Sequence, residues 1–191
     1  MILHIKNMVC SRCIMVVSQQ LENLGFEVCN ISLGTAEILP DPDEQTLLKV
    51  SSILEVLGFE LIRRDKDWTV EQIKNLIIGS IHHSDLAETH IPFTELISSE
   101  LNKDYTYLSR LFSESENITI EKFVIQQKIE KIKELLEYGE LNISEIADKM
   151  GYSSSAHLSA QFKNVTGFTP RQFKSLEQAN RKPIDKIYTG N

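Results

Sequence analysis

The chain has 191 residues, enough for one medium domain or two small ones. Its composition, 41% hydrophobic and 25% charged, is that of a globular protein, and no apolar run approaches the ~18 residues a membrane-spanning helix needs. The net charge of −7 opposes a nucleic-acid partner at first sight, since phosphate contacts favour cations. The charges are segregated, however. From residue 163 onward Lys163, Arg171, Lys174, Arg181, Lys182 and Lys186 face only Glu177 and Asp185, whereas acid collects in stretches such as 41–44 and 114–116. The first residues, Met1 to Asn7, lack a basic region followed by an apolar block, so no secretory signal is expected and the cytoplasm is the expected compartment.

Residues 1–66 read as a small α+β unit. Leu3 and Ile5 alternate with His4 and Lys6 in a short strand, and Ile14, Val17, Leu21 and Leu24 then recur at helical spacing until Gly25. Residues 26–33 are rich in β-branched side chains, with Cys29, Ile31 and Leu33 expected on one face and Cys29 expected to pack as a small hydrophobe. A turn at Gly34-Thr35 returns the chain as a strand over 36–39. A second helix carries Leu47, Val50, Ile53, Leu54 and Leu57, and a strand over 59–62 closes the unit. The order βαββαβ predicts a four-stranded antiparallel sheet with both helices on one face.

Cys10 and Cys13 lie between the first strand and the first helix. Free N–H groups at a helix start favour thiolate over thiol, and two thiolates without other evident ligands suit a soft ion such as Cu(I) better than a four-coordinate zinc. His4 is expected to point away from the helices. The segment Met8-Val9-Cys10-Ser11-Arg12-Cys13, with Leu21 to Phe26 and Gly58-Phe59, resembles the heavy-metal-associated domain, a ferredoxin-like module of copper chaperones and copper pumps. The resemblance implies metal ligation by Cys10 and Cys13 and a buried, loop-supporting Met8. Asn7 and Val9 depart from that family's usual Gly and Thr. Two other readings stand beside metal binding: a retired metal domain kept for docking or homodimerisation, and a thiol–disulfide switch.

From residue 67 to 178 the pattern is helical, and 179–191 form a tail. Val70, Ile73, Leu76, Ile77 and Ile81 mark a first helix, with His82-His83 at its expected solvated end. Pro92 starts a second, carrying Phe93, Leu96, Ile97 and Leu101, and after the polar turn 102–104 a third carries Tyr107, Leu108, Leu111 and Phe112. Thr119 opens a long helix with Phe123, Ile125, Ile129, Ile132 and Leu136 inward and a charged opposite face containing Lys128, Glu130, Lys131, Lys133 and Glu134. Asn142 and Glu145 form a capping-box pattern ahead of Ile146, Ala147 and Met150. Gly151 permits a turn into a helix over 153–166 with Leu158, Phe162 and Val165 on its core face, and Thr169-Pro170 starts a last helix reaching about Gln178.

A short helix, a turn and a second helix with an exposed polar face thus occur twice, joined by one long helix. The segments Tyr107 to Phe112, Lys131 to Leu136, Ile143 to Ala147 with Gly151-Tyr152, His157 to Lys163 and Thr166 to Pro170 with Phe173 resemble the DNA-binding domain of AraC/XylS regulators across 69–178. The resemblance implies a transcription regulator that lays the second helix of each unit in the major groove of double-stranded DNA, about one turn apart. It places Thr106, Ser109 and Arg110 on the first reading face, and Ser154, Ser155, Ala156, His157, Ser159, Ala160 and Gln161 on the second. Arg110 suits guanine and Gln161 adenine, or either suits phosphate, and Lys163 is a phosphate candidate. Ala160 stands where that family often has Arg, and Lys128 where an Arg is frequent, which suggests a weaker internal ion pair. No catalytic grouping is evident, so an enzyme is not expected. The competing reading is a metal-trafficking or thiol-redox protein whose helical half docks protein partners.

Overall fold

A computed structural model describes residues 1–63, 65–83 and 91–175, and divides the chain into two compact units, Met1–Asn75 and Leu76–Asn191.

The first unit runs β1 (Ile2–Lys6), α1 (Ser11–Asn23), β2 (Glu27–Ser32), β3 (Thr35–Leu39), α2 (Glu44–Val56), β4 (Glu60–Ile62) and the beginning of α3 (Asp65–Ile78). The strands form one antiparallel sheet in the order β2-β3-β1-β4. Leu3, Ile5, Ala36 and Ile38 present one face of the sheet to Val17 and Leu21 of α1 and Val50 and Leu54 of α2, all buried in one cluster with Met8. Each fully buried aliphatic side chain there contributes about 1.5–3 kcal/mol, and these contacts hold both helices to the same face. Asp43 caps α2 by accepting from the Thr46 N–H at 2.7 Å.

Cys29 is exposed, not part of that core. The β2–β3 pairing shifts register between Val28 and Asn30, so Val28 and Ile31 face inward and the simple alternation that would bury residue 29 is broken. The hairpin turn is Leu33-Gly34, with Gly34 at φ +86°. Within this unit α3 packs closely: Trp68 stacks on His4 with ring centroids 4.1 Å apart, and a Cβ added to Gly34 would meet Asn75 at 2.8 Å and Trp68 at 3.1 Å. These contacts carry the first unit to Asn75, past the change of sequence pattern at residue 66.

In the second unit a π-helical turn over Gly79–His83 precedes α4 (Phe93–Leu101), α5 (Tyr105–Glu116), α6 (Ile120–Tyr138), α7 (Ile143–Lys149), α8 (Ser155–Thr166) and α9 (Pro170–Lys174). The local signals act as expected. Asn142 and Glu145 form a reciprocal capping box on α7, Thr169 and Gln172 form another on α9, and Gly151 at φ +68° makes the turn between α7 and α8. Residues 176–191, including the expected end of the last helix near Gln178 and the tail with Arg181 and Lys182, lie outside the described residues.

Three expectations fail for tertiary reasons. The charged side of α6 is not wholly solvated, because the helix packs against α5, α8, α9 and the π-helical turn. Glu130 and Lys133 are therefore buried and paired at 2.6 Å. His82 is part-buried, with Nε2 2.9 Å from Gln127 Oε1, instead of standing in solvent. Val165 is 47% exposed, since it sits on the last turn of α8 beyond the Phe162–Phe173 contact.

Candidate nucleic-acid interface

Each short-helix pair hides one face and offers another. Asp104 caps α5 by accepting from the Tyr107 N–H at 3.1 Å, after Asn102 has turned the chain in a left-handed conformation. Leu108, Leu111 and Phe112 are buried, and Phe112 packs against Phe123 of α6 with centroids 5.5 Å apart. Helical geometry then places Thr106 and Arg110 outward, with Ser109 half-buried beside them. Arg110 approaches Glu114 at 3.8 Å, but both side chains are largely exposed, so this long pair holds the guanidinium only weakly. Tyr107, part of the apolar series in the sequence, is 40% exposed and joins the outer face.

The outer face of α8 is organised differently. Ser154 is the N-cap, outside the helix itself, and accepts from the His157 N–H at 3.1 Å. His157 is exposed, with Nδ1 3.1 Å from Ser153 Oγ and its ring edge-on to Tyr152. The Tyr152 hydroxyl donates to Gln161 Oε1 at 2.6 Å, and burial pushes its pKa up to about 12. Gln161 is thus half-buried, with its amide orientation set from within the protein. Ala156, Ala160 and Lys163 are exposed, and Ser155 and Ser159 are half-buried.

Behind Tyr152 stands Lys128, whose Nζ donates to the Met150 carbonyl at 2.8 Å and lies 5.2 Å from the centre of the Tyr152 ring. Burial lowers the Lys128 pKa. In place of the expected weakened ion pair, Lys128 satisfies a carbonyl at the end of α7 and braces the ring that orients Gln161. In the sequence Tyr152 stands out only as a family-pattern position, and Lys128 as that and as part of the charged face of the long helix. Their shared contact had no local signal.

A cleft of about 540 Å³ lies beside α8, and its lining includes Ser155, Ala156 and Ser159 of α8, Asn142 and Ser144 at the start of α7, and Arg171 and Lys174 of α9. Arg171 and Lys174 are exposed, so the acidic chain carries local cations next to this outer face.

Within the first unit Cys10 is the N-cap of α1, and its Sγ lies 3.5 Å from Cys13 Sγ. Both cysteines are half-buried and free, and Met8 beneath the loop is fully buried. The two thiols differ. Partial burial pushes Cys10 up, but bonds from the Cys13 backbone and thiol and the Arg12 backbone, with the Arg12 charge, outweigh it and lower the pKa. Cys13 is raised, first by burial and then by its neighbour Cys10. With metal–sulfur bonds of about 2.3 Å, sulfurs 3.5 Å apart subtend roughly 100° at a shared ion. Two free thiols at this distance are candidate ligands for a soft ion, and a linear two-coordinate arrangement would require the sulfurs to spread. Among the described residues no helix is long and apolar enough to cross a membrane.

Comparison with known proteins bears on the helical part. A family described as "Helix-turn-helix domain" matches residues 97–175. The Msm operon regulatory protein of Streptococcus mutans is 34% identical over 111 residues, covering 58% of this chain and 37% of that protein. An HTH-type transcriptional regulator of Bacillus subtilis, YfiF, is 30% identical over 114 residues, covering 56% and 36%. The chain thus spans little more than a third of the length of these two relatives. Among solved structures, the C-terminal domain of AraT, a response regulator from Geobacillus stearothermophilus, aligns with a TM-score of 0.50 and 25% identity, covering 60% of this chain and 91% of that one. Residues 97–175, which hold both short-helix pairs but for the first turn of α4, are thus similar to helix-turn-helix domains.

Proposed function

We propose that this protein is a cytoplasmic, sequence-specific transcription regulator that reads double-stranded DNA with α5 and α8. One observation carries the reading: both helices bury an apolar face against α6 while keeping a polar outer face, within a segment that matches a helix-turn-helix family. Arg110 is the guanine reader, since a guanidinium forks onto O6 and N7. Ser155, Ala156, His157, Ser159 and the oriented Gln161 face the second groove, and Lys163 meets phosphate. Selecting bound duplexes from a random pool tests this. Enrichment of a defined motif, bound with an affinity that falls steeply with salt, is expected. Absence of enrichment at low ionic strength would reject the reading.

A second reading concerns the first unit, and the geometry of Cys10 and Cys13 favours it. We infer a ferredoxin-like soft-metal module, supported by the strand order, the buried Met8 and the two free thiols 3.5 Å apart. Cu(I) held there would bias DNA binding only through different affinities for the two arrangements of the chain. Operator affinity that responds to Cu(I) in the wild type and not in C10S/C13S supports it. Equal affinity with and without Cu(I) in both proteins removes it.

A further inference from the structure

Asn7, the residue ahead of Met8, is a junction in the first unit. It is left-handed, with φ +69°, a conformation open to Asn but uncommon for other non-glycine residues. Its N–H donates to Glu71 Oε1 at 2.8 Å, its Nδ2 donates to the Gly58 carbonyl at 2.9 Å, and its own carbonyl faces Cys13 Sγ at 3.9 Å. Glu71 is 2% exposed, and its other oxygen lies 3.2 Å from Lys74 Nζ. A carboxylate leaves water only when partners replace its hydration. Here those partners are a lysine one turn along the same helix and the backbone of the loop that carries the thiols. Around this pair α3 is held by Trp68 on His4 and by Asn75 against the Leu33-Gly34 turn.

We propose that Glu71 is a positioning residue for the Cys10–Cys13 pair. By fixing the Asn7 amide it sets the loop from which both sulfurs are presented, so that soft-ion binding and the packing of α3 on the sheet are coupled. The inference rests on the soft-metal reading of the pair. Coupling of this kind is reciprocal: if docked α3 strengthens ion binding, bound ion strengthens the docking of α3 by the same factor. Partners one layer behind metal ligands tune affinity by about 10–100-fold.

The test uses the full chain and Cu(I), with affinity read by competition against a Cu(I) chelator, and amide hydrogen exchange as the second readout. Glu71→Ala is expected to weaken Cu(I) binding about tenfold or more. Glu71→Gln, which keeps an oxygen to accept the Asn7 N–H, should remain within a few-fold of wild type. In the wild type, Cu(I) should slow exchange at Asn7 and along residues 68–75, and this slowing should vanish in C10S/C13S. If Glu71→Ala fails to fold, the wild-type exchange measurement decides alone. Equal Cu(I) affinity in folded Glu71→Ala and wild type, or unchanged exchange at Asn7 on loading, overturns the proposal. Absence of Cu(I) binding by the wild type removes the metal reading and this inference with it, and leaves the DNA-binding proposal untouched.

Discussion

The helices α5 and α8 occupy equivalent places in a repeated arrangement and have the same length, 12 residues, yet they present their outer faces differently. Arg110 on α5 has only a long, exposed approach to Glu114. On α8 the outer groups are laced together: Ser154 caps the helix, Ser153 meets His157, and Tyr152 orients Gln161 while Lys128 braces Tyr152. The two helix pairs also lean on α6 by different means. Tyr105 at the start of α5 donates to Glu121 at 2.7 Å, whereas the α7 end is tied to α6 through Lys128 and Met150. If both faces meet DNA as proposed, the first can adjust on contact, whereas the second is organised beforehand and needs less ordering on binding.

The largest expected effects test what the two helices share. Phe112 and Phe162 are both fully buried, and each contacts one aromatic partner at 5.5 Å. Phe112→Ala and Phe162→Ala should each lower unfolding free energy by about 3–5 kcal/mol in denaturant titrations. A loss below about 1 kcal/mol in either would show that its helix is not held to the domain as described.

Acidification separates the two sides of α6 next. His82 has a folded pKa lowered from 6.5 to about 4, chiefly by burial, and it contacts Gln127 of α6. Between these values the unfolded state binds the extra proton, so stability is complete above pH 6.5, falls as pH drops toward 4, and loses nothing further from this group below that. The loss should be roughly 1–3 kcal/mol and should disappear from the pH profile of His82→Gln. A profile identical in the two proteins would contradict a neutral, buried His82.

DNA binding then distinguishes the faces. Arg110→Ala should lose about 1–3 kcal/mol and relax preference at one base pair. Tyr152→Phe, which removes only the hydroxyl that orients Gln161, should lose about 1 kcal/mol and only toward the half-site read by α8. Equal losses at both half-sites from Tyr152→Phe would mean that its role is general stability.

The parts that were legible in the sequence are those set by neighbours along the chain. Asn142 with Glu145, Thr169 with Pro170, Gly151 and the apolar spacing of α5, α7 and α8 specify helix starts, stops and inward faces locally. The strand and helix order of the first unit follows from the same kind of signal. What escaped depends on partners distant in sequence. A register shift exposes Cys29, packing around α6 buries Glu130 and Lys133, and Gln127 draws His82 out of solvent. Glu71 carries no local signal for the bond it accepts from the Asn7 N–H, 64 residues away in sequence. The outer faces were legible as polar, but the bracing of Gln161 by Tyr152 and Lys128 was not, because it joins three elements.

The central claim is that two separate helices read one duplex. It is tested most directly by taking the selected DNA site and inserting about 5 base pairs, half a helical turn, between its two halves. Affinity is expected to fall to the non-specific level in the spaced site and to recover in part when a full turn is inserted. A selected site that consists of one short block, bound equally well whatever is inserted beside it, would contradict the account.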